Sequence, residues 1–280
     1  MEFVMFSGFT DALLSRGPAG VADYAKGLGF SGGELFASTE HPTCDPVSDH
    51  QTARELHGVF RKAGFPIACF SVYTNLWNRP ENEAFLMKKA ELAAELECPY
   101  LHHTLFPVYH PAPDDPGYAE AREQILESAI RIANHAARYG VTCLYEDQGG
   151  YFNSVAGYGC LWNDLERECK NVGVCADLGN ILFVGETPED FLRAFAPRVR
   201  HVHLKDYQRV ASPTCPGDGF APATPGVWLR DCDIGSGVVD FSTCLALLRK
   251  AGYTGPYALE ILANQFDHAA KAAMTYVQNL

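Results

Sequence analysis

Four residues in the second half of the chain carry side chains that could hold a metal ion or move a proton. Glu146, Asp177, His203 and Glu260 each lie near the end of a short apolar run. Because the side chains of a β-strand alternate between its faces, the apolar neighbours would face one way and these four residues the other. Three carboxylates and an imidazole cannot be buried without partners, since an isolated buried charge costs too much free energy. A divalent cation would satisfy all four, and the pattern therefore predicts a metal site.

The chemistry of this predicted ligand set narrows the choice of metal. Oxygen donors with a single imidazole favour one divalent cation, Mn²⁺ first, with Mg²⁺, Co²⁺ and Zn²⁺ as alternatives. The ten cysteines include no CxxC pair and are scattered through apolar segments, so we expect reduced, buried thiols rather than zinc ligands. For each of the four residues, the alternative to a metal is a local pair with a lysine, an arginine or a backbone group.

These four residues can come together only in a fold that brings the ends of several strands close to one another. The sequence alternates short β-rich runs with helical patterns along its length, which is typical of such a fold. Apolar residues recur at helical spacing over 119–139 and 241–250, and Thr187 followed by Pro188 is a typical helix start. The predicted strands are 3–6, 33–36, 67–73, 100–106, 142–147, 174–178, 199–206 and 257–262. Eight such units in 280 residues predict an α/β fold, a single (β/α)8 TIM barrel that takes up residues 1–280 as one domain.

The longest stretch without a regular pattern is 207–240, which is rich in proline, glycine, cysteine and aspartate. It follows the seventh predicted strand, and TIM barrels keep their active sites at the C-terminal ends of their strands. We therefore predict a long loop over that face of the barrel, as a lid or a wall of the pocket.

Charge and composition exclude several classes of function. The 22 basic and 34 acidic residues give a net charge of −12. A nucleic acid or an anionic membrane as partner would require a basic face, which no cluster of lysine and arginine supplies. The N-terminus lacks a signal-peptide pattern and no apolar run approaches about 18 residues, so the expected location is the cytoplasm. A homo-oligomer is compatible with the sequence.

Five segments of the second half resemble, in this order, the xylose isomerase-like TIM barrels of the sugar phosphate isomerase/epimerase superfamily. They are LYED at 144–147, DLGN at 177–180, HVHLKD at 201–206, DIGSGVVDF at 233–241 and GYTGPYALE at 252–260. The resemblance implies that Glu146, Asp177, His203 and Glu260 match the metal ligands of the family. It also implies that Glu146 and Glu260 serve as acid and base.

Two positions bear on the substrate through the same resemblance. Ketose 3-epimerases of this superfamily usually carry a histidine three residues after the metal aspartate, where this chain has Asn180. Their arginine six residues after the metal histidine is matched by Arg209. Asn180 and Arg209 are therefore candidate substrate-binding residues, although the missing histidine weakens the prediction of a free ketohexose substrate. The His-Leu-Lys-Asp form of the seventh strand looks more like inosose dehydratases.

Inward-facing strand positions supply further candidates. Lys205, on the inward side of the seventh strand, could hold a substrate oxygen; its alternative is a salt bridge to Asp177 or Asp206. His102, at the end of the fourth strand, is a candidate substrate contact. Glu34 could project into the barrel from the second strand, and a structural ion pair is the alternative for it.

These observations predict a divalent-metal-dependent sugar isomerase or epimerase that acts on a ketose or keto-polyol. Glu146 or Glu260 would remove a proton next to a metal-bound carbonyl. The same enolate could instead lose a neighbouring group, so an inosose-type dehydratase or a 3-keto-glycoside lyase is the main alternative. An apurinic-site endonuclease is disfavoured by the acidic charge, and a metal-free sugar-binding barrel is the non-enzyme alternative.

Overall fold

The computed structural model describes residues 1–110, 115–261 and 266–280. Its strands are β1 (Phe3–Met5), β2 (Gly32–Ser38), β3 (Ile67–Tyr73), β4 (Tyr100–His103), β5 (Thr142–Glu146), β6 (Val172–Asp177), β7 (Val199–Leu204), β8 (Asp206–Ala211), β9 (Ala221–Pro222), β10 (Val227–Cys232) and β11 (Tyr257–Leu259). Eight of them close a parallel barrel in the order β1, β11, β7, β6, β5, β4, β3, β2. The predicted (β/α)8 barrel is confirmed. Residue 262, the predicted end of the last strand, lies outside the described residues.

Helices cover the outside of the barrel because the outward-facing strand residues are apolar. The helices are α1 (Phe9–Leu28), α2 (His50–Ala63), α3 (Pro80–Glu95), α4 (Tyr118–Ala137), α5 (Gly149–Phe152), α6 (Val155–Glu168), α7 (Pro188–Phe195), α8 (Phe241–Lys250) and α9 (Phe266–Gln278). Tyr145 of β5 is buried against α4, and its hydroxyl donates to the carbonyl oxygen of Ala129 at 3.1 Å. Helix α7 begins after Thr187, whose Oγ1 accepts from the backbone N–H of Asp190 at 3.3 Å, as its sequence predicts.

The inside of the barrel is layered along the strands. A small apolar cluster consists of Cys69, Leu144 and Cys175. Two positions further along the same three strands stand Ser71, Glu146 and Asp177. Residues two apart on a strand share a face, so a polar layer follows the apolar one directly. The C-terminal ends of the strands thus present ionisable groups into a closed space.

The stretch that the sequence presents as irregular contains regular structure. Strands β8, β10 and β9 form an antiparallel sheet in that order. The remaining loop is tied down by Asp206, whose carboxylate accepts from the backbone N–H groups of Gly235, Gly237 and Val239 at 2.9, 2.8 and 3.2 Å. The aspartate that ends the HVHLKD segment therefore holds the DIGSGVVDF segment in place.

The ten cysteines all lie within the described ranges and are free thiols, six of them buried. This agrees with the prediction that most of them act as small apolar side chains. In the described part of the chain, no helix combines the length and the apolar character that crossing a membrane requires.

Candidate metal centre

The four predicted ligands come together at the C-terminal end of the barrel. One ligand atom from each of Glu146, Asp177, His203 and Glu260 lies within 4.8 Å of all the others. Nδ1 of His203 lies 2.9 Å from Oε1 of Glu146 and 3.3 Å from Oε2 of Glu260. Strands β5, β6 and β7 and the residue after β11 supply one side chain each. The role of these four residues as metal ligands remains a prediction.

Asp177 offers an oxygen that suits a cation. Its Oδ1 accepts from the backbone N–H groups of Gly179 and Asn180 at 2.7 and 2.8 Å. Its Oδ2 is buried and has no hydrogen-bond partner among the described residues. Burial raises the pKa of Asp177 to about 8, with Glu260 adding to the rise and Lys205 opposing it. A buried carboxylate with one orphaned oxygen and two carboxylates nearby fits a hard divalent cation, which would remove the cost of that burial.

Glu34 contacts Nε2 of His203 and so determines which imidazole nitrogen is left for the carboxylate cluster. Its Oε1 lies 3.1 Å from Nε2 of His203, and its Oε2 lies 2.7 Å from Nε2 of His201. Ser71 Oγ donates a third hydrogen bond to Oε1 of Glu34. Burial acts to raise the pKa of Glu34, but His201 and His203 hold it well below its ordinary value. Because Glu34 occupies Nε2 of His203, Nδ1 is the nitrogen left for the carboxylate cluster.

The sequence predicts only part of the hydrogen-bond network around His203. The sequence predicts that Glu34 either projects into the barrel or forms a structural ion pair, and in the structure it does both, since it is buried against His201 and His203. His201 and Ser71 had received no role. His201 shares the inward side of β7 with His203, two residues away, and that spacing was the available signal.

Lys205 is paired with a different carboxylate from those expected. The sequence suggested Asp177 or Asp206, whereas its Nζ lies 2.5 Å from Oε1 of Glu260. Asp206 is engaged instead with the backbone of the loop after β10. Burial acts to lower the pKa of Lys205, but the charges of Glu260 and Asp177 raise it well above its ordinary value. The same contact holds the pKa of Glu260 well below its ordinary value against the effect of burial.

His102 lies on the other side of the cluster. Its Nδ1 is 2.9 Å from Ser71 Oγ, and its Nε2 is 3.7 Å from Oε2 of Glu146. Burial lowers the pKa of His102, with Glu146 opposing the change. The prediction that His102 faces the site agrees with this position.

A cavity of about 250 Å³ opens directly onto the cluster. Its lining residues are Phe6, Phe36, Ser71, Val72, Tyr73, His102, Thr104, Glu146, Gln148, His203 and Glu260. A larger cavity of about 580 Å³ adjoins it, since Phe6, Phe36 and Glu260 line both. A molecule in the smaller cavity would meet both glutamates.

The two remaining predicted substrate residues lie outside this cavity lining. Asn180 is buried behind Asp177, and its backbone carbonyl accepts from Nδ2 of Asn153 at 2.6 Å. Arg209 is exposed on β8 opposite Leu229, and it makes no hydrogen bond or ion pair within the described ranges. The structure does not bring either side chain beside the two glutamates, and their roles remain predictions.

Comparisons with known proteins agree with the fold. The family model described as the xylose isomerase-like TIM barrel matches residues 22–279. An inosose dehydratase of Geobacillus thermodenitrificans is 35% identical over 162 residues, which cover 55% of this chain and 53% of that protein. The chain thus matches about half the length of this curated relative.

Two solved structures share the fold at low identity. The 3-keto-D-glucoside 4-epimerase YcjR of E. coli has a TM-score of 0.74 at 17% identity and covers 100% of both chains. A xylose isomerase-like TIM barrel protein of Mycobacterium smegmatis in complex with magnesium has a TM-score of 0.70 at 18% identity, covering 93% of this chain and 87% of that one.

Proposed function

Because the chain belongs to the xylose isomerase-like TIM barrel family, we propose that it is a divalent-metal-dependent enzyme acting on a keto-polyol. Its first step would be removal of the proton on the carbon next to the carbonyl. A divalent cation bound by Glu146, Asp177, His203 and Glu260 would polarise the carbonyl and stabilise the negative charge that develops on its oxygen. The residues that carry out the proton transfers are assigned from the contacts of their individual oxygens.

The observation that carries the proposal is that Glu146 has a carboxylate oxygen without a hydrogen-bond partner among the described residues, whereas Glu260 does not. Oε1 of Glu146 faces His203 at 2.9 Å, whereas Oε2 makes no hydrogen bond to any described residue, and Glu146 lines the smaller cavity. Both oxygens of Glu260 are engaged, one with Lys205 at 2.5 Å and the other with His203 at 3.3 Å. Glu146 Oε2 is thus the carboxylate oxygen that is free to accept the substrate proton.

Lys205 gives the site a proton donor: its Nζ lies against Glu260, which lines the same cavity as Glu146. An ammonium group can protonate a departing hydroxyl, so that the C–H bond yields its proton to Glu146 and the C–O bond breaks with release of water. The product would be an unsaturated ketone, which makes the reaction a dehydration. The similarity to an inosose dehydratase supports the same outcome. Dehydration, which the sequence placed second to isomerisation or epimerisation, therefore comes first in this proposal.

Epimerisation or isomerisation is the second candidate. Both glutamates line one cavity, and a proton removed by one could be returned from the other side by the second. Its weakness is that Glu260 lies against an ammonium group, which favours the ionised carboxylate and leaves it a poor proton donor.

The test is proton NMR in D₂O with the Mn²⁺- or Mg²⁺-loaded protein, an inosose and a ketohexose as substrates, and an EDTA-treated control. Dehydration predicts new vinylic signals with loss of the α-proton. Epimerisation or isomerisation predicts deuterium on carbon without loss of water. Glu146→Gln should abolish either signal. If the metal-loaded protein neither exchanges a carbon-bound proton nor forms a product with any keto-polyol, the proposed function is wrong.

A further inference from the structure

A buried chain of hydrogen bonds connects Glu34 to the cavity through two further side chains. Glu34, Ser71 and His102 are 0%, 1% and 4% exposed. Ser71 Oγ contacts Oε1 of Glu34 and lies 2.9 Å from Nδ1 of His102. The three residues come from β2, β3 and β4, which are neighbours in the barrel. The chain is therefore part of the rigid sheet and not of a loop.

The directions of these hydrogen bonds follow from the number of available hydrogens. An ionised carboxylate only accepts, so the single hydroxyl hydrogen of Ser71 is donated to Glu34. Ser71 Oγ can then only accept from His102, and the hydrogen between them must be carried by Nδ1. Nε2 has no acceptor within hydrogen-bond distance among the described residues, so the geometry gives the imidazole a single hydrogen, on Nδ1, and leaves a lone pair on Nε2. Glu34 thus dictates which nitrogen of His102 is protonated without touching it.

The free nitrogen of His102 faces the cavity. Nε2 is buried, has no hydrogen-bond partner among the described residues, and lies 3.7 Å from Oε2 of Glu146. Two acceptors this close to each other share no hydrogen, so a donor from outside the protein would satisfy both. The cavity lining contains no lysine or arginine among the described residues. These features favour a neutral hydroxyl over an anionic group at this point.

We propose that Glu34 and Ser71 are positioning residues that hold His102 with its hydrogen on Nδ1, and that His102 Nε2 accepts a hydrogen bond from a substrate hydroxyl beside Glu146. The identity of that hydroxyl as part of a keto-polyol rests on the proposed function. The fixed protonation of His102 does not, because it follows from contacts within the chain. Substrates that carry a hydroxyl at this point are selected over those that carry hydrogen or a phosphate there.

The protonation state can be read directly with ¹⁵N-labelled histidine, which gives ten imidazole pairs in this chain. The pair that disappears in His102→Gln identifies His102. In the wild type, we expect its Nδ1 to be protonated and its Nε2 to have the shift of an unprotonated nitrogen. Ser71→Ala should redistribute the hydrogen between the two nitrogens, and Ser71→Thr, which keeps the hydroxyl, should restore the wild-type spectrum. A protonated Nε2 in the wild type, or an unchanged Ser71→Ala spectrum, overturns the inference.

Steady-state kinetics test the contact with the substrate. Ser71→Ala should raise KM for the keto-polyol about tenfold, as expected for a lost hydrogen bond, and should leave the metal content unchanged. Ser38→Ala is the matched control, since Ser38 is an equally buried serine on β2 whose hydroxyl, within the described part of the chain, accepts hydrogen bonds from the backbone N–H groups of Glu40 and His41 and makes no others. An equal KM in wild type and Ser71→Ala overturns the substrate contact. If no keto-polyol is turned over while the spectra behave as expected, the proposed function fails and the positioning role stands.

Discussion

Nζ of Lys205 lies 2.5 Å from Oε1 of Glu260, whereas Glu146, the other glutamate of the cluster, is paired with no lysine or arginine of the described residues. The two residues reach each other from the ends of neighbouring parallel strands, β7 and β11. Two chemically identical side chains thereby become different, because one carboxylate is neutralised by its neighbour and the other faces an open cavity. This asymmetry is the basis for assigning a base and an acid to the site.

Replacing Lys205 with methionine tests the acid. We expect kcat for dehydration to fall by about 10²–10⁴, the usual effect of removing a general acid. Mn²⁺ binding should persist or tighten, because a positive charge beside the cluster is removed. Calorimetric titration with Mn²⁺ and turnover of the keto-polyol measure the two effects separately. A variant that retains a third or more of the wild-type kcat would contradict the role given to Lys205.

Asp177→Asn tests the cation site through its orphaned oxygen. The amide can still accept the backbone N–H groups of Gly179 and Asn180, but it offers no negative charge to a cation. Since changes that only touch a ligand's neighbours already weaken metal binding about 10–100-fold, we expect a loss of at least about 100-fold here. The rise in melting temperature on adding Mn²⁺ should shrink accordingly. Asp233→Asn, at an exposed aspartate, is the control and should bind Mn²⁺ like the wild type.

Gly237→Ala tests the anchoring of the loop by Asp206. A Cβ atom at this position would collide with Oδ1 of Asp206 and with the carbonyl oxygen of Tyr207. We expect a loss of about 1–3 kcal/mol in the free energy of unfolding, measured with urea. Gly58→Ala is the contrasting variant, because nothing lies within 4 Å of its new Cβ and the residue is inside α2. That change should stabilise the protein by roughly 0.5–1 kcal/mol. Equal stabilities of the two variants would count against the anchor.

A pH dependence is expected from Lys89, which is buried with Nζ 2.5 Å from Oδ1 of Asp45 and 2.6 Å from the carbonyl oxygen of Val47. Burial lowers the pKa of Lys89 despite Asp45. Between the lowered pKa and the ordinary value, the unfolded chain binds more protons than the folded one, so the contribution of Lys89 to stability rises with pH. The free energy of unfolding of the wild type minus that of Lys89→Met should increase from pH 7 to pH 10, by at most about 1.4 kcal/mol per pH unit. A difference that falls over this range would contradict the assignment.

The order of strands and helices was predictable because burial imposes a regular period on each element. The alternation within the late strands placed Glu146, Asp177 and His203 on one face, and parallel strands bring such ends together. Element ends were harder to predict. Strand β4 stops at His103 and not at 106, because Thr104 uses its hydroxyl to accept the backbone N–H of Thr74 at 2.7 Å.

Partners that are distant in sequence could not be read from local patterns. Nothing near Glu34 in the chain indicates that His201 and His203 will surround it, since only the closure of the barrel makes them neighbours. The predicted partner of Lys205 was wrong for the same reason, since Glu260 lies 55 residues further along the chain. The sheet formed by β8, β9 and β10 was missed because its strands lie largely at the surface and lack the apolar period that marks the barrel strands.

Phe3 of β1 lies opposite Tyr257 of β11, so the first and last of the described strands close the barrel. A ribosome releases Glu146, Asp177 and His203 well before Glu260, so a nascent chain carries three of the four proposed ligands while the ring of strands is still open. A cation would find its full set of oxygens only after the final strand docks between β1 and β7. The ion would then link the last strand to β5, β6 and β7.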